Sequence, residues 1–298
     1  MTDRVLDDGD RPAAARGWRS TAARRGAEVE SGLRAAIAPR RPATIWIGLL
    51  LVGPMVLAAG FPDLIAPYDP FANAGPPLAA PRVPFLFGTD DLGRDLFSGI
   101  VAGARTSLLV AAFVTAISVA IGLAVGVSAG FFGGFIDDLL MRLAEFVQVL
   151  PRFFIALLVL TLFGASVLNI CIVLGLFSWP GLARLTRAET LSHREREYVR
   201  AAVAMGGSNA WIMRKHILPQ VGRPVMAVAA PVATSAILTE AGLSYLGLSD
   251  PNVMSWGKLI QNGQTFFTHG WWLSVMPGLA VVATCLGLAL MVEGLRRD

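Results

Sequence analysis

No charged residue occurs between Thr106 and Ile136, so this run is long enough to cross a lipid bilayer. A helix needs about 20 consecutive apolar residues to span the hydrocarbon core. A helix also satisfies its own backbone hydrogen bonds, which lipid cannot do. Charged residues make up 15% of the chain and hydrophobic residues 54%, whereas soluble domains are about 25% charged. The chain is therefore predicted to be an integral membrane protein.

Six apolar segments follow one another along the chain and predict an all-α fold with six transmembrane helices. The predicted spans are residues 44–61, 106–131, 139–163, 167–183, 224–248 and 272–292. They form one transmembrane domain over residues 44–296, with a tight turn predicted at Gly164-Ala165-Ser166. The preceding residues 1–43 are rich in Arg, Ala, Asp and Gly, which predicts a flexible or loosely helical tail.

Basic residues are concentrated in three regions: the tail, the segment between spans four and five, and the C-terminal pair Arg296-Arg297. With six spans, these regions all lie on one face of the membrane. The loop 249–271 on the other face carries Lys258 as its sole Lys or Arg. Because cytoplasmic loops carry an excess of Lys and Arg, both termini and the segment between spans four and five are predicted to be cytoplasmic.

That polar segment is predicted to contain two helices separated by a hinge. Residues 189–205 contain no Gly or Pro, and Gly206-Gly207 is expected to end this first helix in a left-handed cap. Ser208 is expected to cap a second helix that stops at Pro219. The small residues Ala201, Ala202 and Ala204 are expected to let another backbone approach closely. The alternative interpretation is an ordinary solvated helix of a cytoplasmic loop.

A long, fixed spacing in this segment resembles the "EAA" loop of ABC importer permeases. It consists of Ala201-Ala202, three residues, Gly206, nine residues and then His216-Ile217-Leu218-Pro219. The resemblance implies that residues 185–219 form a coupling loop that docks into a groove on a cytoplasmic ATPase. The residues it assigns to coupling are Tyr198, Val199, Arg200, Ala201, Ala202, Ala204, Gly206 and Pro219.

Two departures from the motif resemble one branch of that family. Arg200 stands where the motif has an acidic residue, and His216 replaces a branched aliphatic residue. Both changes are similar to the peptide and nickel branch. The stretches "GTDDLGRDLFSGIVAGARTSL" (residues 88–108) and "ILTEAGLSYLGLS" (residues 237–249) resemble the same branch. Across residues 45–296 the chain is thus similar to the "C"-type permease of dipeptide, oligopeptide and nickel importers.

This resemblance implies a type I ABC importer permease in a bacterial inner membrane, surrounded by lipid. The implied partners are a homologous second permease, two cytoplasmic ATPase subunits and an extracytoplasmic substrate-binding protein. The sequence contains no G-x-x-x-x-G-K-[ST] phosphate loop, since neither Lys215 nor Lys258 fits it. We therefore expect this chain to bind no cofactor itself, with ATP and Mg held by the partner ATPases.

Other classes of function lack the residues that they require. The arginines lie beside apolar runs rather than along one soluble face, which disfavours nucleic-acid binding. His193, His216 and His269 are interpreted as separate surface residues, and Cys171 and Cys285 as small packing residues, so neither a metal site nor a catalytic site is expected. A secondary transporter is disfavoured because no clear internal repeat is present.

Two charges lie within predicted spans, where charge is costly and usually faces a cavity or a partner. Arg152 follows Pro151, and Glu240 lies in the fifth span. Each is interpreted either as a residue of the translocation path or as part of a structural contact. Three smaller expectations concern local pairs: helix capping by residues 89–91, pairing of Arg94 with a neighbouring acid, and a pair formed by Arg142 and Glu145.

The predicted function is therefore that of an importer permease subunit that carries no catalytic residues. Peptides are the first choice of cargo. Nickel chelates, glutathione or another small solute remain open, because in such systems the external binding protein sets much of the choice.

Overall fold

A computed structural model of the protein describes residues 43–295, so almost all of the tail 1–43 lies outside the described residues. In chain order the helices are α1 (Ala43–Gly60), α2 (Pro62–Ile65), α3 (Leu96–Phe132), α4 (Gly134–Val149), α5 (Arg152–Phe163), α6 (Val167–Ser178), α7 (Pro180–Arg194), α8 (Glu197–Ala204), α9 (Asn209–Ile212), a π-helical turn (Met213–Ile217), α10 (Leu218–Ala227), α11 (Ala229–Tyr245), α12 (Trp256–Gln264) and α13 (Trp272–Leu295). Within these residues the β structure consists of two isolated bridges, Arg82 with Phe85 and Thr89 with Asp95. The predicted all-α class is confirmed.

Each of the six predicted spans contains an apolar helix, but few of the spans are straight. In the described part of the chain, Leu96–Phe132 and Trp272–Gly294 are long and apolar enough to cross a membrane unaided. Three further spans are helix pairs, α4 with α5 bent by 75°, α6 with α7 by 41°, and residues 209–227 with α11 by 47°. By length and composition the described residues thus offer two spans, or five if each bent pair is one, and α1 adds a shorter apolar helix.

Two of the three bends follow from proline chemistry. Pro151 immediately precedes α5, and Pro180 is the first residue of α7. A proline cannot donate a backbone hydrogen bond, and its ring clashes with the carbonyl four residues earlier, so a helix usually breaks or bends there. The predicted turn after α5 is confirmed, since Gly164 has a φ of +88° and the Ser166 side chain accepts a hydrogen bond from the Asn169 amide.

The second span begins earlier than predicted, at Leu96 rather than Thr106. Its cap is Asp95, whose Oδ2 accepts hydrogen bonds from the amide of Ser98 at 2.8 Å and from its hydroxyl at 2.7 Å. The prediction that residues 89–91 cap this helix is therefore wrong. Residues 88–96 form a turn closed by the hydrogen bond from the Leu96 amide to the Gly88 carbonyl and by the bridge between Thr89 and Asp95, and this turn places Asp95 at the start of the helix.

A close helix contact joins α3 to α7 through three glycines spaced four residues apart. A Cβ at Gly122 would lie 2.7 Å from the Leu182 Cβ, and one at Gly130 would lie 2.7 Å from the Thr190 Cβ. Between them, a Cβ at Gly126 would collide with Thr186. Small residues at intervals of four let helix backbones approach closely in lipid, where hydrophobic burial gives little drive for association.

The two ends of α3 pack into different hydrophobic clusters. Its first turns contact Trp256, which is fully buried and donates its indole N–H to the Ile100 carbonyl at 3.0 Å. Its last turns, at Val127 and Phe131, contact Val199 and other residues that follow α7. We call the end with the loops 61–95 and 246–271 the loop side and the end with residues 185–219 the coupling side.

We predict that Gly126→Ala destabilises the protein by about 1–3 kcal/mol, because the added Cβ overpacks the contact with Thr186. Gly222→Ala is the matched control. It introduces the same methyl group into α10 with nothing within 4 Å, and should be neutral or stabilising by about 0.5–1 kcal/mol. Thermal unfolding of the purified protein in its complex measures both. Equal midpoints for the two variants would contradict the close α3–α7 contact.

Candidate coupling site

Helix α7, whose residues 185–194 begin the predicted coupling loop, is fixed to the bundle on two sides. The glycines of α3 pack against one side of it. On another side Arg187 donates hydrogen bonds from Nε and Nη2 to the two carboxylate oxygens of Asp137, which lies in the first turn of α4. Such a bidentate pair fixes orientation as well as position. Residues 185–194 are therefore part of the rigid bundle.

The predicted single helix over residues 189–205 is wrong, because the structure breaks it at Glu195-Arg196. Helix α7 ends at Arg194, and Arg196 takes extended angles (φ −68°, ψ 147°) before α8 begins. A continuous helix would carry the next turns away from the bundle. The break instead turns α8 back, so that Val199 and Ala202 are buried against Phe131 and its neighbours.

The hinge after α8 agrees with the prediction in detail. Gly206 has a φ of +80°, which other residues rarely adopt. The Gly207 amide donates to the Ala202 carbonyl at 3.0 Å and the Gly206 amide to the Val203 carbonyl at 2.9 Å, as expected for a glycine cap. Ser208 then caps the following helix by accepting a hydrogen bond from the Trp211 amide.

The second helix does not stop at Pro219, so that part of the prediction is wrong. The helical path continues from Asn209 through the π-helical turn Met213–Ile217 into α10. A proline inside an α-helix would meet the carbonyl four residues before it. The wider π turn directly before α10 changes the hydrogen-bonding register there, and such bulges are a recognised way to accommodate this kind of disruption.

The three alanines do not share one face, contrary to the prediction. Ala202 is 1% exposed and belongs to the hydrophobic cluster, as does Val199 at 2%. Ala201 and Ala204 are exposed on the opposite side of α8. Successive helical residues are about 100° apart, so positions 201 and 204 align whereas position 202 points elsewhere. We call the exposed residues Glu197, Arg200, Ala201 and Ala204 the outer face of α8.

Large apolar and aromatic side chains remain exposed around the outer face. Met205 is 79% exposed, Val203 56%, Trp211 42% and Tyr198 40%. Exposed apolar groups beside a flat helical surface are typical of a protein interface. This apolar border, with the small side chains of the outer face, makes α8 suited to close docking of a partner.

Two histidines interpreted from the sequence as separate surface residues both contact Tyr198. The His193 Nδ1 lies 2.9 Å from the Tyr198 hydroxyl, and the His216 ring centroid lies 6.3 Å from that of Tyr198. His216 also packs edge-on against Trp211 at 4.7 Å. These contacts connect α7, α8 and the second helix of the segment. They do not form a metal site, since the described residues contain no group of three metal-ligating side chains.

Arg152 lies where two broken spans meet. It is the first residue of α5, directly after the 75° bend, and it is exposed in this chain. Its Nη1 donates to the Ser178 hydroxyl at 3.3 Å, at the end of α6. The two helix breaks line a common pocket with the residues Gln148, Leu150, Pro151, Arg152, Phe177, Ser178, Pro180 and Gly181.

Glu240 lies in a different environment, enclosed by helices of its own chain. It is 2% exposed and accepts hydrogen bonds from the hydroxyl of Ser244 at 2.8 Å and that of Ser107 at 3.3 Å. The Ser107 oxygen also accepts a bond from the Trp256 amide at 3.3 Å. Glu240 therefore joins α3, α11 and α12 on the loop side, which corresponds to the structural interpretation of this residue.

Two of the local expectations are not met within the described residues. Arg142 and Glu145 form no ion pair there. Arg94 meets the Asp90 carboxylate through its backbone amide, at 2.8 Å, and not through its guanidinium. Burial raises the pKa of Asp90, although that hydrogen bond and one from Leu92 oppose the shift.

Lys258 has a role that the sequence did not suggest. Its ammonium donates to the carbonyls of Asp250, Pro251 and Val253 at 2.8–3.1 Å and so closes the loop that precedes α12. Partial burial lowers the pKa of Lys258, with Asp250 acting in the opposite direction. The same loop reaches the turn between α5 and α6, where the Val167 amide donates to the Asp250 carboxylate at 3.4 Å.

Known proteins similar to this chain are transport permeases. Residues 122–298 match the family described as binding-protein-dependent transport system inner membrane component. The dipeptide transport system permease protein DppC of Escherichia coli (strain K12) is 39% identical over 258 residues, covering 84% of this chain and 86% of that protein. The di/tripeptide transport system permease protein DppC of Pseudomonas aeruginosa (strain UCBPP-PA14) is 34% identical over 257 residues, covering 84% and 85%.

A third relative, the probable peptide ABC transporter permease protein y4tQ of Sinorhizobium fredii, is 37% identical over 265 residues, covering 87% of this chain and 89% of that protein. The family match covers more than half of the chain, and the relatives are similar over most of it. This chain therefore belongs to the family of inner-membrane permease components of binding-protein-dependent transport systems.

Proposed function

We propose that this chain forms, with a second permease, the translocation path of an ATP-driven peptide importer, and that α8 receives the push of a partner ATPase. The observation that supports this most is the outer face of α8. Ala201 and Ala204 are exposed there, while Val199 and Ala202 fix the opposite side of the same helix to the bundle. A partner pressing on the outer face would move α8 and α7 together.

The side chains of the outer face determine which residues a complementary groove on the proposed ATPase would need. Two alanines allow a close backbone approach, and Met205 and Trp211 supply apolar area at the rim. Arg200 is exposed and is paired with no acidic side chain within the described residues. A guanidinium at an interface is best matched by a carboxylate. The proposed ATPase groove therefore carries an acidic residue opposite Arg200.

The remaining parts of the proposed complex follow from what this chain lacks and from its relatives. The sequence has no phosphate-binding loop, so ATP and Mg belong to separate ATPase subunits. A binding protein outside the cell would deliver the cargo to the loop side. Peptides are the proposed cargo because the named relatives are dipeptide, di/tripeptide and peptide permeases. In this orientation the coupling side and both termini are cytoplasmic.

Arg152 is the proposed contact between this chain and its cargo or the partner permease. A guanidinium offers five N–H donors, and the described contacts use one of them. Its pocket is formed by the breaks of two spans, where the backbone leaves regular helix. In transporters such broken helices are common at substrate sites.

Single cysteines at Ser192 and Asn252 test the proposed orientation. Both positions are exposed, Ser192 on the coupling side and Asn252 on the loop side. A membrane-impermeant thiol reagent should label position 252 from outside the cell and position 192 only after the membrane is opened. The parent protein should have Cys171 and Cys285 replaced by alanine to remove background. Labelling of both positions from the same side would contradict six spans in this arrangement.

Ala204→Trp should abolish the stimulation of ATP hydrolysis by loaded binding protein while the permease still folds. The bulky ring would overpack a tight interface by about 1–3 kcal/mol, which is roughly a 5- to 150-fold loss of affinity. Ala204→Ser is the matched control and should behave like the wild type. ATPase activity of the reconstituted complex measures both variants.

Two further variants separate docking from folding. Ala202→Leu should lower the unfolding midpoint of the protein, because position 202 is buried within the chain. Gly206→Val should distort the hinge, since a β-branched residue resists a φ of +80°. Normal stimulation in Ala204→Trp would show that the outer face is an ordinary solvated surface.

Arg152→Ala should change the rate or the preference of peptide uptake in a complex that still assembles. Arg152→Lys keeps the charge and should retain part of the activity. Ser178→Ala removes the hydrogen-bond partner but leaves the guanidinium in place, so it should have a smaller effect. Transport of labelled peptides into vesicles gives the comparison. Failure of the alanine variant to assemble with the second permease would make Arg152 a structural contact.

A further inference from the structure

A pocket of about 580 Å³ opens on the loop side between α2 and the beginning of α3. The single turn α2 follows α1 almost directly, and the chain after it passes over the first turns of α3. The residues that line the pocket are Pro62, Asp63, Ala66, Pro67, Tyr68, Asp69, Pro70, Ala102 and Arg105. Its walls are held in place, because Ala66 and Ala102 pack on the main hydrophobic cluster and the Tyr68 amide donates to the Ser98 hydroxyl at 3.2 Å.

The pocket contains charges of both signs that do not neutralise one another. Asp63 and Asp69 contribute two carboxylates and Arg105 one guanidinium, and no ion pair within residues 43–295 joins them. The Asp69 carboxylate is oriented by a hydrogen bond from the Phe71 amide at 2.8 Å. A ligand that carries a cation and an anion a short distance apart would complement both sets. A ligand with negative charge alone would face two carboxylates against one arginine.

The position of the pocket relative to the membrane restricts the class of ligand that could reach it. Arg105 is the last charged residue of α3 before the uncharged run 106–136 begins, so it lies at the boundary of the hydrocarbon core. Close to Asp63 in the chain but outside the pocket lining, Phe61 is 61% exposed and Leu64 85% exposed. Apolar side chains beside charged ones on a short helix are typical of the membrane interface. The pocket therefore lies at the depth of the lipid headgroups.

We propose that this pocket binds the headgroup of a zwitterionic aminophospholipid, phosphatidylethanolamine. Arg105 would bind the phosphate, Asp63 and Asp69 would accept hydrogen bonds from the primary ammonium, and the acyl chains would lie over Phe61 and Leu64. A quaternary ammonium has no N–H to donate, so phosphatidylcholine binds more weakly. Anionic lipid is disfavoured by the excess of carboxylates. Bound lipid would fix α2 against α3 and thereby the connection between the first two spans.

Native mass spectrometry of the purified permease complex with added lipid tests the proposal. We expect the wild type to retain phosphatidylethanolamine in preference to phosphatidylcholine and phosphatidylglycerol of the same chain length. Arg105→Gln should weaken retention of phosphatidylethanolamine about tenfold, since it removes one charge-assisted hydrogen bond to the phosphate. The double variant Asp63→Asn with Asp69→Asn should lose the preference over phosphatidylcholine. Asp91→Asn is the control, as an acid on the same side but outside the pocket.

Three results would overturn the proposal. One is a wild type that retains phosphatidylglycerol or phosphatidylcholine as well as phosphatidylethanolamine. Another is unchanged retention of phosphatidylethanolamine in Arg105→Gln, whose side chain is exposed and whose loss removes no hydrogen bond within the described residues. If the double variant fails to assemble, the result for Arg105→Gln alone is decisive. Displacement of the lipid by a soluble dipeptide at equal concentration would also overturn it, because the pocket would then be a peptide subsite.

Discussion

The contact between the glycines of α3 and the side of α7 determines where the coupling side of the protein is built. Helices in lipid gain little from hydrophobic burial, so their association depends on close packing and hydrogen bonds. With no Cβ at Gly122, Gly126 and Gly130, the two backbones approach until Thr186 and Thr190 meet the glycine surface. The same stretch of α3 ends in Phe131, against which α8 packs. This contact thus fixes the direction of α7 and also the position of the α3 surface on which α8 packs.

This contact also connects α8 and α7 to the rest of the helix bundle. The inner side of α8 is held by Val199 and Ala202, and α7 is held by Gly126 and by the Asp137–Arg187 pair. The nearest breaks in the helices beyond this unit are the proline bends at the start of α5 and of α7. The pocket that contains Arg152 is lined by residues of both bends. Under the proposed function, a displacement of α8 would pass through α7 towards this pocket.

The sequence predicts the features whose causes are local. The turn at Gly164, the glycine hinge at Gly206 and the cap at Ser208 depend on nearby residues, and the structure agrees with each. Each of the six apolar runs contains a helix, although the second begins ten residues before the predicted start. The break at Glu195-Arg196 and the inward direction of Ala202 bring α8 into the hydrophobic cluster that contains Phe131, far away in the chain, and local pattern does not predict them. The glycines at intervals of four were visible in the sequence, but inside an uncharged run they did not identify α7 as their partner.

The two charges inside the predicted spans differ in how far the chain itself satisfies them. Glu240 is enclosed by Ser107 and Ser244, and its carboxylate oxygens each accept a hydroxyl hydrogen bond. Burial of a charge or polar group is tolerated when such partners are present. Arg152 has one hydroxyl contact for five N–H donors and is exposed at a pocket. Charged groups in membrane proteins usually face a cavity or a partner. Glu240 is thus satisfied within this subunit, whereas under the proposed function the second permease or the cargo would complete the contacts of Arg152.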